Sequence, residues 1–539
     1  MSSRFSIGLD FGTESGRVML VDLDGGAEMA WTVVPYRSGV IDGQLPDGTT
    51  LGRDWALQDP MDYLAVLRDG IPKVLRDSGV PPSEIVGIGV DFTACTVLPV
   101  LRGGTPLCTL PLLSGNPHAW VKLWKHHAAQ PQADAINQAA AGSGLLRAFG
   151  GKVSSEWLFP KLLQILQEAP EVYAACDRFL EAGDWLVWQL TGEEGRSECA
   201  AGYKSMWIKG AGFPSRDFLR AVDPRLENAV EEKLSSKLLP LGAKAGGLTA
   251  AMAAATGLLP GTPVAAANVD AHAGVPACGV VEPARLVMIM GTSLCHMLLA
   301  RERRFVEGVA GVIEDGIVPG LWGYEAGQAA VGDIYGWFFR TVERSPESLA
   351  EGAMRLKPGE SGLIALDWWN GNRSVLTDAG LTGVLIGATL ATRPDEIYRA
   401  LVEATAFGTR TVIEAFEKEG VPIHELVACG GLAQKSPLVM QIFADVTNRE
   451  IRLPRTLQGS GLGAAMHGAV AAGAYRDIAE AAAHMASLQE LSYRPDAAAH
   501  AVYRKLYAEY AQLHDYFGRG GNDVMKRLKT LQASVRGIN

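Results

Sequence analysis

Apolar and polar positions alternate between two rhythms along this chain. Residues 5–9 form a short apolar run with strand character, residues 10–16 carry the Asp, Gly, Thr and Ser of a turn, and residues 17–23 read as a returning strand. A helical period follows over 60–78. Residues 85–91 are an apolar run ending in Asp91, the form of a buried strand that delivers a side chain at its C-terminal end. Helical period returns over 119–140 and 156–170. Strands alternating with helices predict an α/β fold.

The second half repeats the opening. Residues 285–290 read as a strand, Gly291-Thr292-Ser293 as a turn and 294–299 as a returning strand, displaced by about 279 residues from the N-terminal unit. Val427-Ala428-Cys429-Gly430-Gly431 again sets a short apolar strand before glycines, with a helical stretch after it. This pattern predicts an internal duplication, with two related α/β domains over 1–280 and 281–539. Helical period from 498 onward predicts a packed C-terminal element rather than a tail.

Composition narrows the class. With 539 residues the chain exceeds the roughly 250–300 residues at which one core stops growing, which also argues for two domains. An apolar share of 48% excludes disorder. Mean hydropathy is slightly positive, but no run of about 18 apolar residues is free of charge, so no membrane span is expected. The net charge of −10 opposes affinity built on nucleic-acid phosphates. Seven scattered cysteines without a Cys-x-x-Cys pair give neither a disulfide framework nor zinc spacing. The first residues lack an apolar signal core, so the cytoplasm is expected. Glycine is abundant, at 62 residues, which implies many turns or many close backbone approaches.

The two Gly-Thr turns are the first candidates for chemistry. Glycine lets backbone amides converge on an anion and the neighbouring hydroxyl adds a donor. Either turn alone could be an ordinary hairpin; the pair in duplicated context points to phosphate. A P-loop is absent, since Gly150-Gly151-Lys152 is followed by Val153. Gly459-Ser460-Gly461-Leu462-Gly463-Ala464 fits the weak G-x-G-x-x-A pattern, but Pro454 interrupts the strand before it, and close helix packing through small residues explains it better. Asp270 ends an apolar stretch over 263–269. At a cleft it would suit a general base toward a sugar hydroxyl; alternatively it caps the Ala-rich helix that follows. His126, His127 and His272 lack a His-x-x-x-His spacing and imply no metal cage.

Taken together, these residues resemble the FGGY family of carbohydrate kinases over nearly the whole chain. Asp10-Phe11-Gly12-Thr13-Glu14-Ser15-Gly16-Arg17 is similar to the family's first phosphate hairpin and Met290-Gly291-Thr292-Ser293 to its second. Ala428-Cys429-Gly430-Gly431-Leu432-Ala433-Gln434-Lys435 resembles its adenosine-side motif. The resemblance implies two duplicated actin-like (ribonuclease H-like) domains with the active site in the cleft between them, and ATP with Mg²⁺ as cofactors. Gly89-Val90-Asp91-Phe92-Thr93-Ala94-Cys95-Thr96, Trp120-Val121-Lys122-Leu123-Trp124-Lys125-His126-His127, Ala201-Gly202-Tyr203-Lys204 and Gly323-Tyr324-Glu325-Ala326-Gly327-Gln328 resemble the branch that acts on L-ribulose. So do Asp367-Trp368-Trp369-Asn370-Gly371-Asn372-Arg373-Ser374 and His514-Asp515-Tyr516-Phe517-Gly518-Arg519-Gly520.

By position, the resemblance implies Asp270 as general base, and Asp91, Ala94, Lys204, Asp270 and Glu325 against the sugar. It implies Gly12, Thr13, Glu14, Arg17, Gly291, Thr292, Ser293, Gly430, Gly431 and Gln434 around the nucleotide, and Asp10 with Asp270 placing Mg²⁺ through water. One departure matters: the W-x-D-x-R segment of many members is replaced by residues 120–127, so sugar contacts do not transfer from glycerol or xylulose kinases. The implied reaction is ATP-dependent phosphorylation of L-ribulose to L-ribulose 5-phosphate in L-arabinose catabolism. Its alternatives are another ketopentose or pentitol and, in a different class, an actin- or chaperone-like ATPase switch. A homodimer is expected by analogy; nucleic-acid and membrane partners are not.

Overall fold

The computed structural model describes residues 4–234, 237–309 and 311–536. The chain forms two compact units. The first comprises Met1–Val281, Val312–Gly323 and Gln458–Ser487; the second comprises Glu282–Gly311, Tyr324–Leu457 and Leu488–Asn539. Two segments from the second half of the sequence therefore belong to the first unit.

In the first unit, strands β1 (Phe5–Phe11), β2 (Ser15–Asp22) and β3 (Glu28–Pro35) form an antiparallel meander. Strand β4 (Ile85–Phe92) lies parallel to β1 on its other side. Beyond it come β5 (Lys244–Gly247) and β6 (Pro263–Ala265), giving the order β5–β6–β4–β1–β2–β3. A two-residue strand, β7 (Asn268–Val269), pairs with the end of β4. The apolar stretch over 263–269 thus forms two short strands separated by Ala266 and Ala267.

Every residue of β1 is buried because the sheet is covered on both faces. One cover is the helix Pro60–Ser78, capped at its start by Asp59, which accepts from the Met61 amide at 2.9 Å, and ended by Gly79 in the left-handed region. The other is the helix Gly459–Ala471. A Cβ at Gly8, Gly87 or Gly89 would land on the carbonyl oxygen of Gly461, Gly468 or Ala464 respectively, so helix and sheet meet backbone to backbone. Ser6 Oγ donates across the same contact to Ala465 O at 2.7 Å. Close packing, rather than dinucleotide binding, is what the small residues at 459–464 serve. This helix also explains why 458–487 belongs to the first unit.

The helical period over 119–140 does not persist. Val121–Lys122 instead pairs with Leu57–Gln58, and only Gln130–Ala139 is helical. The helix expected over 156–170 is present as Leu158–Glu168.

The second unit rebuilds the same sheet. Strands β8 (Arg285–Met290) and β9 (Leu294–Ala300) form an antiparallel hairpin, with β10 (Trp322–Gln328) beside β9. Strand β11 (Glu425–Cys429) lies parallel to β8, and β12 (Ile451–Pro454) parallel to β11. Strand β13 (Leu488–Tyr493) closes the edge antiparallel. The order β10–β9–β8–β11–β12 repeats β3–β2–β1–β4–β6, and each run continues into an antiparallel strand, but that strand precedes its neighbour in the chain in the first unit and follows it in the second. The duplication suggested by two short hairpins is a duplication of topology. The C-terminal helix Ala497–Gly518 is packed as expected, burying Tyr503, Tyr507, Tyr510 and His514. Among the described residues no helix is long and apolar enough to cross a membrane.

Candidate functional site

Parallel pairing brings three carboxylates to one end of the first sheet. Asp10 on β1 is in register with Asp91 on β4, and Asp91 with Asn268 on β7; Asp270 follows one residue after that strand. Ligands of open α/β sheets sit at such carboxyl ends. Asp10 is buried and its Oδ2 accepts from Arg17 Nη1 at 2.9 Å. Asp91 is fully buried and among the described residues no donor reaches either oxygen; the group beside it is Asp10, itself an acceptor, so the two can share a hydrogen bond only if one of them is protonated. Burial, then the negative charges of Asp10 and Asp270, push the Asp91 carboxyl well above the usual range, with Arg17 a partial offset.

Asp270 is the first residue of the helix Asp270–Ala277. The N-cap position belongs to Val269, and Asp270 Oδ1 accepts from the Ala271 amide at 2.7 Å. The alternative in which Asp270 is merely the cap therefore fails. One oxygen is anchored by backbone, which fixes the direction of the carboxylate. His272, on the same turn, meets Cys199 Sγ through Nδ1 at 3.1 Å and lies against the Tyr203 ring. Both partners sit on the helix Glu198–Lys204, whose last residue is the buried Lys204.

The first Gly-Thr turn is braced from behind. Gly12 N donates to Ser15 O at 3.0 Å, Tyr36 OH to Gly12 O at 3.1 Å, and Gln58 Nε2 to Thr13 O at 2.7 Å. Trp124 Nε1 donates to Thr13 Oγ1 at 3.0 Å. That hydroxyl still has its own hydrogen to give, so an outside acceptor such as a phosphate oxygen can complete it. Residues 120–127, set apart by the sequence, thus reach the first Gly-Thr turn through Trp124.

The second turn has the same character. Gly291 N donates to Ser293 O at 2.9 Å, and the Gly291 and Thr292 carbonyls accept from the amides of Gly332, Val331 and Asp333. With its acceptors engaged, the turn leaves Gly291 and Thr292 exposed. Gly430, at φ +93°, packs on the Met290 backbone, so β8 and β11 bring the second turn and the glycine pair into one neighbourhood. Gln434, on the short helix that follows, donates to Pro454 O. Glu325 lies on β10, in the second unit.

Parts of three sequence strings, 323–328, 367–374 and 514–520, meet inside the second unit, where the His514 ring lies edge-on to Trp368. Gln328 donates to Asp367 and to Thr405 O, while Tyr510, just before the 514–520 string, donates to Asp367 Oδ1. This buried network fixes β10, the strand that carries Glu325.

Ala94 lies in the turn after β4, beside a small cavity lined by Thr93, Ala94, Glu181, Asp184, Ala267 and Asn268 among others. Glu181 and Asp184 were not anticipated; the available signal was two acids in an otherwise apolar stretch, 179–190. Glu181 is buried and among the described residues its Oε1 has no partner. Burial and then Asp184 push its carboxyl up to about 8, against Lys161, Arg196 and Lys204. Asp184 is pushed up to about 7 by burial, while Arg196 and the Ser197 amide oppose the rise. A carboxyl raised on folding binds more protons folded than unfolded, so stability is full below the unfolded value and falls as pH rises toward the folded one. Glu181→Gln is therefore expected to flatten the loss of stability between about pH 5 and pH 8. Urea midpoints across that range check this; parallel curves for the two proteins would refute it.

The duplicated sheets, the two amide-rich hairpins and the carboxylates at the strand ends define an α/β protein of the sugar-kinase class. The N-terminal domain model of the FGGY family of carbohydrate kinases matches residues 5–276, and the C-terminal domain model matches 286–472. The chain belongs to the FGGY family of carbohydrate kinases, and is an ATP-dependent sugar kinase. It is 55% identical to the ribulokinase of Geobacillus thermodenitrificans, over 99% of this chain and 98% of that protein. With the ribulokinase of Anoxybacillus flavithermus it shares 54% identity, over 100% and 99% of the two chains. Among solved structures, the xylulose kinase of Rhodospirillum rubrum superposes with a TM-score of 0.77 at 22% identity, covering 95% of this chain and 98% of that one; this likeness concerns the fold.

Proposed function

We propose that this kinase transfers the γ-phosphoryl group of ATP to L-ribulose, giving ADP and L-ribulose 5-phosphate in L-arabinose catabolism. The observation that carries the reading is full-length identity of 52% or more to several ribulokinases. Those relatives do not favour an ATPase switch.

In this reading Asp270 takes the proton from the sugar's terminal hydroxyl as oxygen attacks phosphorus in line. Its Ala271 anchor supports the role, because an orientated carboxylate loses less on reaching the reactive geometry. Asp91, the Ala94 backbone, Lys204 and Glu325 hold the sugar. Thr13 and its neighbours Gly12, Glu14 and Arg17 serve the phosphates, as do Gly291, Thr292 and Ser293; Gly430, Gly431 and Gln434 serve the adenosine side. Fixed amides and hydroxyls stabilise the charge that develops on the transferring group, so an acidic protein can handle an anionic nucleotide.

Among the described residues no three His, Cys, Asp or Glu side chains form a metal cage. The electrostatically coupled carboxylates of Asp10, Asp91 and Asp270, one of them without a donor, nevertheless suit a hard cation held partly through water. Asp10 and Asp270 would hold Mg²⁺ there, and the ion would supply positive charge against the nucleotide phosphates.

The test is coupled ADP release on L-ribulose, D-ribulose, D-xylulose, ribitol, L-arabinitol and glycerol. kcat/KM for L-ribulose should exceed that for D-xylulose and glycerol by about 10-fold or more, as a site built to hydrogen-bond particular hydroxyls discriminates. Fast turnover confined to D-xylulose or glycerol would remove the substrate assignment.

A further inference from the structure

The geometry points to Lys161 as the positioning residue of the turn at 93–96, the turn whose Ala94 backbone meets the sugar in the reading above. That proposal rests on the reading and goes beyond it to a residue outside every motif. Lys161 lies on the helix Leu158–Glu168 and is fully buried. Its Nζ donates to Cys95 O at 2.6 Å and to Leu123 O at 2.8 Å. Among the described residues its ammonium hydrogen-bonds only these two carbonyls.

The turn needs such a partner. Its ends are secured independently: Thr93 N donates to Phe11 O at 3.1 Å, Ala182 N to Thr96 O at 2.7 Å, and the Thr93 and Thr96 hydroxyls bond each other at 2.7 Å. Between them Cys95 adopts φ +61°, a left-handed backbone that a side chain disfavours. The carbonyl of that residue is the one Lys161 holds. Leu123 is itself tied by its amide to Ala56 O at 3.0 Å, so it offers a fixed point from which Lys161 spans to the turn. A buried ammonium is costly unless its hydrogen bonds repay the lost water. An apolar side chain would fill the space without that cost, but it could not hold the Cys95 carbonyl.

A control lies elsewhere in the first unit. Lys233 is also buried and its Nζ also donates to a backbone carbonyl, that of Cys176 at 2.6 Å rather than one of the turn. The experiment compares Lys161→Met, Lys161→Gln and Lys233→Met in the full-length enzyme, reading KM for sugar and for ATP, kcat and thermal midpoint. Lys161→Met should raise the sugar KM by about 10-fold or more with the ATP KM changed less than about 2-fold, since misplacement of a sugar-facing backbone acts on that substrate alone. Lys161→Gln, which keeps an N–H donor, should recover part of the loss. Lys233→Met should lower the thermal midpoint while leaving both KM values within about 2-fold. An unchanged sugar KM in Lys161→Met, a parallel rise in both KM values, or the same KM pattern in Lys233→Met would overturn the proposal. If Lys161→Met does not fold, Lys161→Gln is read alone, and an unchanged sugar KM overturns it. Failure of the substrate reading shows separately, as absent turnover of L-ribulose by the wild type; the comparison then runs on the sugar the wild type accepts.

Discussion

Asp270→Ala is expected to lower kcat by about 10³-fold or more while ATP binding persists, because it removes the group proposed to take the hydroxyl proton. The side chain projects from the first turn of its helix with one oxygen fixed by the Ala271 amide. It is not the N-cap residue, and its loss gives up one hydrogen bond, from the Ala271 amide. It also contributes to the repulsion that raises the Asp91 carboxyl, so deleting its charge should relax that group toward the usual range. The variant is therefore expected to be folded, the relief at Asp91 offsetting the lost Ala271 bond. Asp270→Asn keeps the shape without the basicity and should be as inactive as the alanine variant. Calorimetry with ATP and the coupled assay with L-ribulose together decide the matter. Near-normal turnover in either variant would dismiss Asp270 as the base, and lost ATP binding would mean that its role is in the nucleotide site.

The hairpins and strand-end acids were legible because they rest on local signals. An apolar run before a Gly-Thr turn is complete within a dozen residues, and Asp91 and Asp270 each close an apolar stretch. Residues 120–127 misled because Trp120, Val121, Leu123 and Trp124 mimic a helical period, while the pairing that makes Val121–Lys122 a strand comes from Leu57–Gln58 far upstream. Lys161 gave no signal at all. Its partners are backbone carbonyls of residues 66 and 38 positions away, and a carbonyl has no residue type to recognise. Glu181 showed only as an acid in an apolar stretch, since what sets it apart is its burial beside Asp184. The packing role of the small residues at 459–464 was readable, but not the surface they meet. Only the structure shows Gly8, Gly87 and Gly89 on the facing strands, and with them why this late segment belongs to the first unit.

That contact carries the second large effect. Gly89→Ala is expected to cost about 3 kcal/mol or more of stability, beyond the usual range for an added methyl group, because the obstacle is main chain rather than a side chain that can rotate away. The new Cβ would collide with the Ala464 carbonyl and press on the Gly468 amide, both inside a regular helix. The helix can relieve the clash only by lifting. Lifting it strains the Ser6–Ala465 hydrogen bond and opens the seams at Gly8 and Gly87. It also withdraws Gly463 from the Ala273 carbonyl, where the same helix supports the helix Asp270–Ala277. Activity should therefore fall together with stability, although Gly89 itself is assigned no contact with substrate. Gly43→Ala is the matched control: nothing lies within 4 Å of its added Cβ, and its cost should stay within about 0.5 kcal/mol. Urea midpoints of the two variants measure the difference. Equal midpoints would mean that the helix rides higher on the sheet than a backbone-to-backbone contact allows, and the support of Asp270 would then have to come from the Glu198–Lys204 side through His272 and Cys199.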